Sequence, residues 1–257
     1  MRRNNFIRTA FLFLALTSPA LAQSGPAGPG AAAEAVALTG LGSDYAKAGQ
    51  YTKAAEVLKR AVELKPDLAE AYYLLGTAYY HTGRHREAVE AYQEAIRLKP
   101  AFGEAHVGLG VAYNDMGRFE ESLVALRQGV RLVPGWAPAY ANLGVTYCNM
   151  GRFREAAEAA RQAIRLDPES AEAHHTLGVA YVFLGKREEA AESLRRAVGL
   201  RPGYAEAHYG LGILYLLLGR RDEALDEYRK LQALDLGLAA KLYRSIYKDM
   251  ILPANSR

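Results

Sequence analysis

Cysteine is nearly absent from this chain. Cys148 is the single one among 257 residues, which excludes an intramolecular disulfide framework. A lone thiol in an oxidising compartment is either shielded or an intermolecular handle, and a partly shielded structural thiol is expected here. Charge of one sign is also missing. The chain holds 32 Lys and Arg against 28 Asp and Glu, a formal +4, and the first 22 residues contribute three Arg and no acid, so 4 − 3 leaves +1 for the rest. That balance is not the footprint of a nucleic-acid binder. After the N-terminal leader, no apolar run approaches the roughly 20 residues of a membrane-spanning helix, so no integral membrane segment is expected. Neither a glycine-rich phosphate loop nor a Gly-x-Ser-x-Gly elbow occurs, and His81 and His85 lack Cys or carboxylate companions at ligand spacing. The expectation is no enzyme, no cofactor and no metal.

The N-terminus is a different kind of sequence. Arg2, Arg3 and Arg8 flank an apolar run through Phe11, Leu12, Phe13, Leu14, Ala15 and Leu16, and Ala20-Leu21-Ala22 closes it. This is the pattern of a secretory signal peptide over residues 1–22, cleaved after Ala22, which implies an exported protein, periplasmic or secreted. Asn4-Asn5 separates the arginine pair from Phe6 by one residue too many for a twin-arginine signal, so the general secretory route is expected. Gln23 and Ser24 stand where a lipoprotein would have cysteine. Residues 23–34, with Gly25-Pro26 and Gly28-Pro29-Gly30, read as a flexible spacer.

What the chain has in abundance is periodicity. Leu41-Gly42, Leu75-Gly76, Leu109-Gly110, Leu143-Gly144, Leu177-Gly178 and Leu211-Gly212 are each followed three residues after the Gly by Tyr, at a constant interval of 34 residues (75 − 41 = 34). With Ala35 as position 1, position 15 is always Gly. Position 20 is Ala or Ser, position 27 is Ala, Gly129 or Leu231, and position 32 is Pro until Leu236 replaces it. Apolar residues at positions 4, 7, 8 and 11, and again at 17, 20, 24 and 27, make one stripe on each of two helices. Each unit therefore reads helix, turn, helix, proline stop. Small residues at positions 8, 20 and 27 let helix backbones approach closely, while Leu58, Tyr92, Leu126 and Leu194 at position 24 fill the holes.

At these offsets the chain resembles the tetratricopeptide-repeat family. Residues 35–238 match as six gapless repeats (35–68, 69–102, 103–136, 137–170, 171–204 and 205–238), and residues 239–250 read as a capping helix before a tail at 251–257. The resemblance implies an all-α, right-handed α-solenoid whose first helices line a concave groove at positions 2, 5, 6, 9, 12 and 13. The candidate protein-binding residues carried over are Tyr73, Thr77, Tyr80 and His81 in the second repeat, Val107, Val111 and Asn114 in the third, and Asn142, Val145 and Asn149 in the fourth. His175, Val179, Val182 and Phe183 follow in the fifth, and Tyr209 and Ile213 in the sixth. The groove is expected to grow more apolar toward the C-terminus, where Tyr243 and Tyr247 of the capping helix could also fold over Leu216 and Leu217. Lys47 is the only cation at groove positions, which does not support a chaperone-tail clamp of the kind some family members form.

The implied function is a non-catalytic adaptor or scaffold of the cell envelope, holding a peptide or protein segment, as for family members that help pilus or secretion machinery. Two alternatives stay open: a self-associating structural scaffold, and the regulatory subunit of a separate enzyme. Elsewhere, Arg127, Arg131, Arg161, Arg165 and Arg195 form a stripe on second helices beside Glu121, Glu155, Glu158, Glu188 and Glu192, and mutual solvated pairing is expected. His106, His174 and His208 share position 4. Helices at least about 8–10 Å apart keep them from converging on one ion, so they read as half-polar aromatic filler. Trp136 reads as packing between repeats.

Overall fold

The computed structural model describes residues 29–251, and the expected signal peptide and the tail from residue 252 lie outside them. Among the described residues there are thirteen helices and no strand. They run in pairs: α1 (Pro29–Lys47) with α2 (Tyr51–Leu64), α3 (Ala69–His81) with α4 (His85–Leu98), α5 (Gly103–Asp115) with α6 (Phe119–Leu132), and α7 (Ala137–Asn149) with α8 (Phe153–Leu166). Then come α9 (Ala171–Phe183) with α10 (Arg187–Leu200), α11 (Ala205–Leu217) with α12 (Arg221–Leu234), and α13 (Leu236–Ile251). The chain is an all-α helical repeat solenoid.

The turn inside each pair is set by glycine. Gly151 has φ +71°, left-handed backbone that a Cβ disfavours, and the equivalent glycines of the other five turns lie between +71° and +75°. The link between pairs is set by proline: α2, for example, ends at Leu64 two residues before Pro66, which cannot continue the helix. Where Leu236 replaces that proline, α13 starts after one intervening residue, Asp235, whose carboxylate accepts the Leu238 amide at 2.9 Å as a helix cap.

The flexible spacer expected over residues 23–34 does not extend to residue 34, because residues 29–34 form the first turns of α1. Proline is accommodated in a first helical turn because its missing N–H has no partner there anyway, and Ala31-Ala32-Ala33 then propagates the helix.

Successive first helices touch one another, from α1–α3 through α9–α11, whereas successive second helices do not meet. The array therefore curves with its first helices on the inner, concave side and its second helices splayed on the outer, convex side. This explains the apolar patterns. First helices are packed on several sides and are apolar nearly all round, while second helices bury one stripe and wet the other.

The core is a chain of bulky side chains seated on glycines. Leu58, Leu126 and Leu194 are fully buried, and a Cβ on Gly178 would stand 2.6 Å from Leu194 Cγ. Tyr92 fills the same place in the second unit, and it fits because Gly76 and Gly108 flank its ring. The fourth unit departs from this: Ala160 leaves the hole at Gly144 open, and Thr176 of α9 enters from the next unit, 3.1 Å from where a Cβ would lie. At the end of the array Leu242 of α13 takes the role at Gly212, and Ala239 and Ile246 are buried beside it. The end helix thus covers an apolar face that would otherwise be open.

Candidate functional site

The concave face collects the groove residues onto α3, α5, α7, α9 and α11. Its N-terminal half is aromatic and polar. Tyr73 leans on Phe102 with ring centroids 5.0 Å apart. Thr77 donates to the Tyr73 carbonyl and receives a bond from Tyr92 at 3.2 Å, so its hydroxyl is engaged in packing. Tyr80 donates to Asp115 at 2.7 Å, and burial first, then that carboxylate, pushes its phenol up. His81 stacks on Tyr51 at 4.1 Å. Further along, Asn114 accepts from Asn149 at 3.1 Å, and Asn142 donates to the Pro138 carbonyl at 2.9 Å.

The C-terminal half is apolar. Val145, Val179, Val182, Tyr209 and Ile213 are half-buried along it. Phe183 is 64% exposed although its ring lies flat on Phe153, centroids 4.2 Å apart, and Leu217 is 50% exposed. His175 meets Tyr204, centroids 5.0 Å apart, and burial pushes its pKa down despite Glu206 and Glu172. A neutral imidazole suits this apolar end.

Several positions fall elsewhere than expected. Val107 is only 3% exposed and belongs to the core, because Gly129 replaces the usual alanine and the valine moves into the vacated space; a Cβ on Gly129 would lie 2.5 Å from its Cγ2. Val111 stays half-buried on the groove. Tyr243 packs against Tyr228 of α12 and Tyr247, so it turns away from the groove, and Leu217 remains open. Tyr51 and Phe153 escaped sequence reasoning. Each is the first residue of a second helix and stacks on an aromatic ring at the end of the first helix in the following pair, an offset of 30 residues (81 − 51 and 183 − 153). That offset is visible in the sequence once sought.

The arginine stripe is likewise different from expectation. Arg127 donates to the Tyr147 hydroxyl at 3.0 Å and Arg161 to that of Tyr181, while Gln93 donates to that of Tyr113 at 2.9 Å, so this position ties the second, third and fourth units each to the next. Arg195 donates to the Ala191 carbonyl at 3.1 Å, and it makes no ion pair with Glu192 among the described residues. Glu121 and Glu155 pair instead with Arg118 and Arg152, the residues that also cover the Tyr113 and Tyr147 rings.

The three position-4 histidines are more than filler. His106, His174 and His208 each bond the carbonyl of the proline six residues earlier, at 3.0, 3.0 and 2.9 Å. His208 alone has a second partner, Glu227, at 2.5 Å, and Lys230 reaches the other oxygen of that carboxylate at 2.7 Å. The Pro202 carbonyl only accepts, so Nε2 donates to it, and the Glu227 carboxylate favours a proton on Nδ1 as well, which favours the imidazolium form. The Glu227 bond accordingly holds its pKa above the usual value. Cys148 is half-buried, and burial pushes its thiol up to about 11, which makes it a poor nucleophile.

No helix among the described residues is long and apolar enough to cross a membrane. The fold recurs widely among solved structures. A chain of the APC/C hetero-tetramer Cut9-Hcn1 aligns with TM-score 0.76 and 20% identity, over 83% of this chain and 42% of that one, so this chain spans less than half of that neighbour. PilF of Pseudomonas aeruginosa aligns with TM-score 0.71 and 20% identity, over 84% of this chain and 99% of that one. A thermophilic tetratricopeptide-repeat protein of Thermus thermophilus aligns with TM-score 0.61 and 26% identity, over 69% and 98%. A comparison with curated proteins gives no match. Repeat proteins of this type mediate contacts between proteins and are generally non-catalytic scaffolds. One family model matches residues 9–241, and by that match the chain belongs to the tetratricopeptide-repeat family described as the cilia and flagella-associated protein 70 C-terminal domain.

Proposed function

We propose that this protein is a non-catalytic adaptor of the cell envelope, exported by the leader at residues 1–22, in which six 34-residue units hold an apolar segment of another protein in the concave groove. The observation that carries this reading is Phe183. It is 64% exposed on the concave face, laid flat on Phe153, with Val179 and Val182 beside it. Covering such a side chain contributes about 1.5–3 kcal/mol, and a groove already ordered by its helix contacts lowers the entropy that binding must overcome. The polar half supplies direction: the Tyr80–Asp115 and Asn114–Asn149 pairs offer hydrogen-bonding groups that an apolar segment does not use and an extended backbone does.

The test is a paired capture from envelope extract with the protein and its Val179→Asp/Phe183→Asp variant, both checked for helicity by circular dichroism. A partner retained by the first and lost by the second supports the groove. Capture of the same partners by both would place binding on the convex face or the termini. If neither captures anything and sedimentation shows concentration-dependent association, the protein is a self-associating scaffold.

A further inference from the structure

The convex side carries an opening that the groove function does not use. Because the second helices do not meet, each space between two of them is floored by the first helix between them. Among the described residues such clefts include one of about 580 Å³ between α4 and α6 and one of about 790 Å³ between α8 and α10. Both lie where position 4 is histidine: His106 and His174 fold back onto the Pro100 and Pro168 carbonyls and vacate the space between the second helices. Between α10 and α12 the equivalent space receives the Glu227 carboxylate, bonded to His208; Glu227 stands where α6 has Ala125 and α10 has Ser193.

The two open clefts differ in charge. The smaller is lined by Gln93, Gln128, Glu120 and Glu121 around Ile96 and Leu109. The larger presents Arg161, Arg165, Arg195 and Arg196 over Ile164 and Leu177. Several arginines of the array, Arg84, Arg118, Arg152 and Arg220, are each neutralised by the glutamate three residues on. The four in the cleft are in no ion pair among the described residues. Arg161 is steadied by the Tyr181 hydroxyl, Arg165 by Gln162 and Arg195 by the Ala191 carbonyl, all neutral acceptors that orient a guanidinium without cancelling its charge.

We infer that the α8/α10 cleft is a second binding site, for an acidic protein segment that places carboxylates on these arginines and an apolar side chain on Ile164 and Leu177. Guanidinium forks match carboxylates in bidentate geometry, and the apolar floor rewards a side chain that a polyphosphate lacks. Glu189 and Glu192 also line the α10 wall, Glu189 partly offset by Lys186 at 3.6 Å, so the segment's carboxylates belong on the arginines and away from those two acids. The site faces away from the groove, so one molecule can hold two partners at once.

The probe is a fluorescein-labelled peptide of Glu and Asp around a central Leu, titrated with the full chain and read by anisotropy. A peptide with Gln and Asn in place of the acids is the control, and a labelled single-stranded oligonucleotide is the competing ligand class. Saturable binding of the acidic peptide, weakened by salt, is expected. Arg165→Glu/Arg196→Glu should lower affinity roughly tenfold or more, without change in helicity, since neither residue is buried. Ser193→Glu should abolish binding by placing a carboxylate in the cleft, as Glu227 does in the next space. Val179→Asp/Phe183→Asp should bind the peptide normally, which separates this site from the groove. Equal binding of the control peptide, tighter binding of the oligonucleotide, or undiminished affinity in both cleft variants would overturn the assignment.

Discussion

Replacing Glu227 by alanine would leave the His208 imidazolium buried without its counter-ion. Both side chains are only 5% exposed, so water cannot substitute. Breaking a buried pair from one side costs about 3–5 kcal/mol. The lower end applies here, about 3 kcal/mol, because the ring can shed its proton and keep the Pro202 bond. In a stacked array this loss falls on the terminal units first. Hydrogen exchange should therefore show α11, α12 and α13 opening more readily while α3 to α8 hold. The compensating double variant, His208→Tyr/Glu227→Ala, installs the residue types of the fourth unit, Tyr140 and Ala159, and should recover to within about 1 kcal/mol of the parent. The pH dependence has a definite sign. The folded His208 pKa is raised, so its contribution is complete below the ordinary histidine value of about 6.5 and is lost as pH rises through the folded value. Burial works to raise the Glu227 pKa, but His208 and Lys230 outweigh it and hold the group low. Its contribution is complete above the ordinary glutamate value and is lost as pH falls through the folded one. The end of the array should thus be most stable in mildly acidic solution and loosen toward alkaline pH, and the double variant should lack that slope. Parallel pH profiles for parent and double variant, or Glu227→Ala protection equal to the parent's, would refute the imidazolium assignment.

Three further outcomes follow from the packing. Gly178→Ala should destabilise the protein by about 1–3 kcal/mol, whereas Gly144→Ala should be the milder change because Thr176 rather than a fixed leucine meets the new methyl; similar melting shifts for the two would contradict the packing described. Cys148 should react with a disulfide reagent far more slowly than a free thiol at neutral pH and respond only in strongly alkaline solution or on unfolding; rapid labelling of the folded protein would refute the shielding. Val107→Asp should reduce helicity and melting temperature, unlike Val179→Asp, since the first residue is core and the second half-buried on the groove; an intact Val107→Asp variant that only loses a partner would return Val107 to the groove surface.

Much of the groove was legible because a period of 34 residues assigns every position a side. Val179, Phe183 and Ile213 were assigned to the groove by carrying the family's inward positions along that period. Val107 did not, because its fate depends on Gly129 in another helix, and a missing methyl group there is felt only once the helices pack. The arginine stripe was visible as charge, but spacing within one helix suggested glutamate partners while the actual acceptor for Arg161 is a tyrosine hydroxyl on the next helix.

The sequence by itself determined the helix pairs, the turns at glycine and the proline stops, since these rest on local backbone preferences and on apolar spacing within one helix, while the face turned inward came from the family resemblance. The end helix was also written there, in Ala239, Leu242 and Ile246. Tertiary structure alone decided what happens between units. It closed one convex space with Glu227 and opened another beneath Arg196, and it turned Tyr243 toward α12. Those outcomes depend on which side chains from different helices meet, and a repeat that fixes the spacing of helices leaves that pairing to the few positions where its units differ.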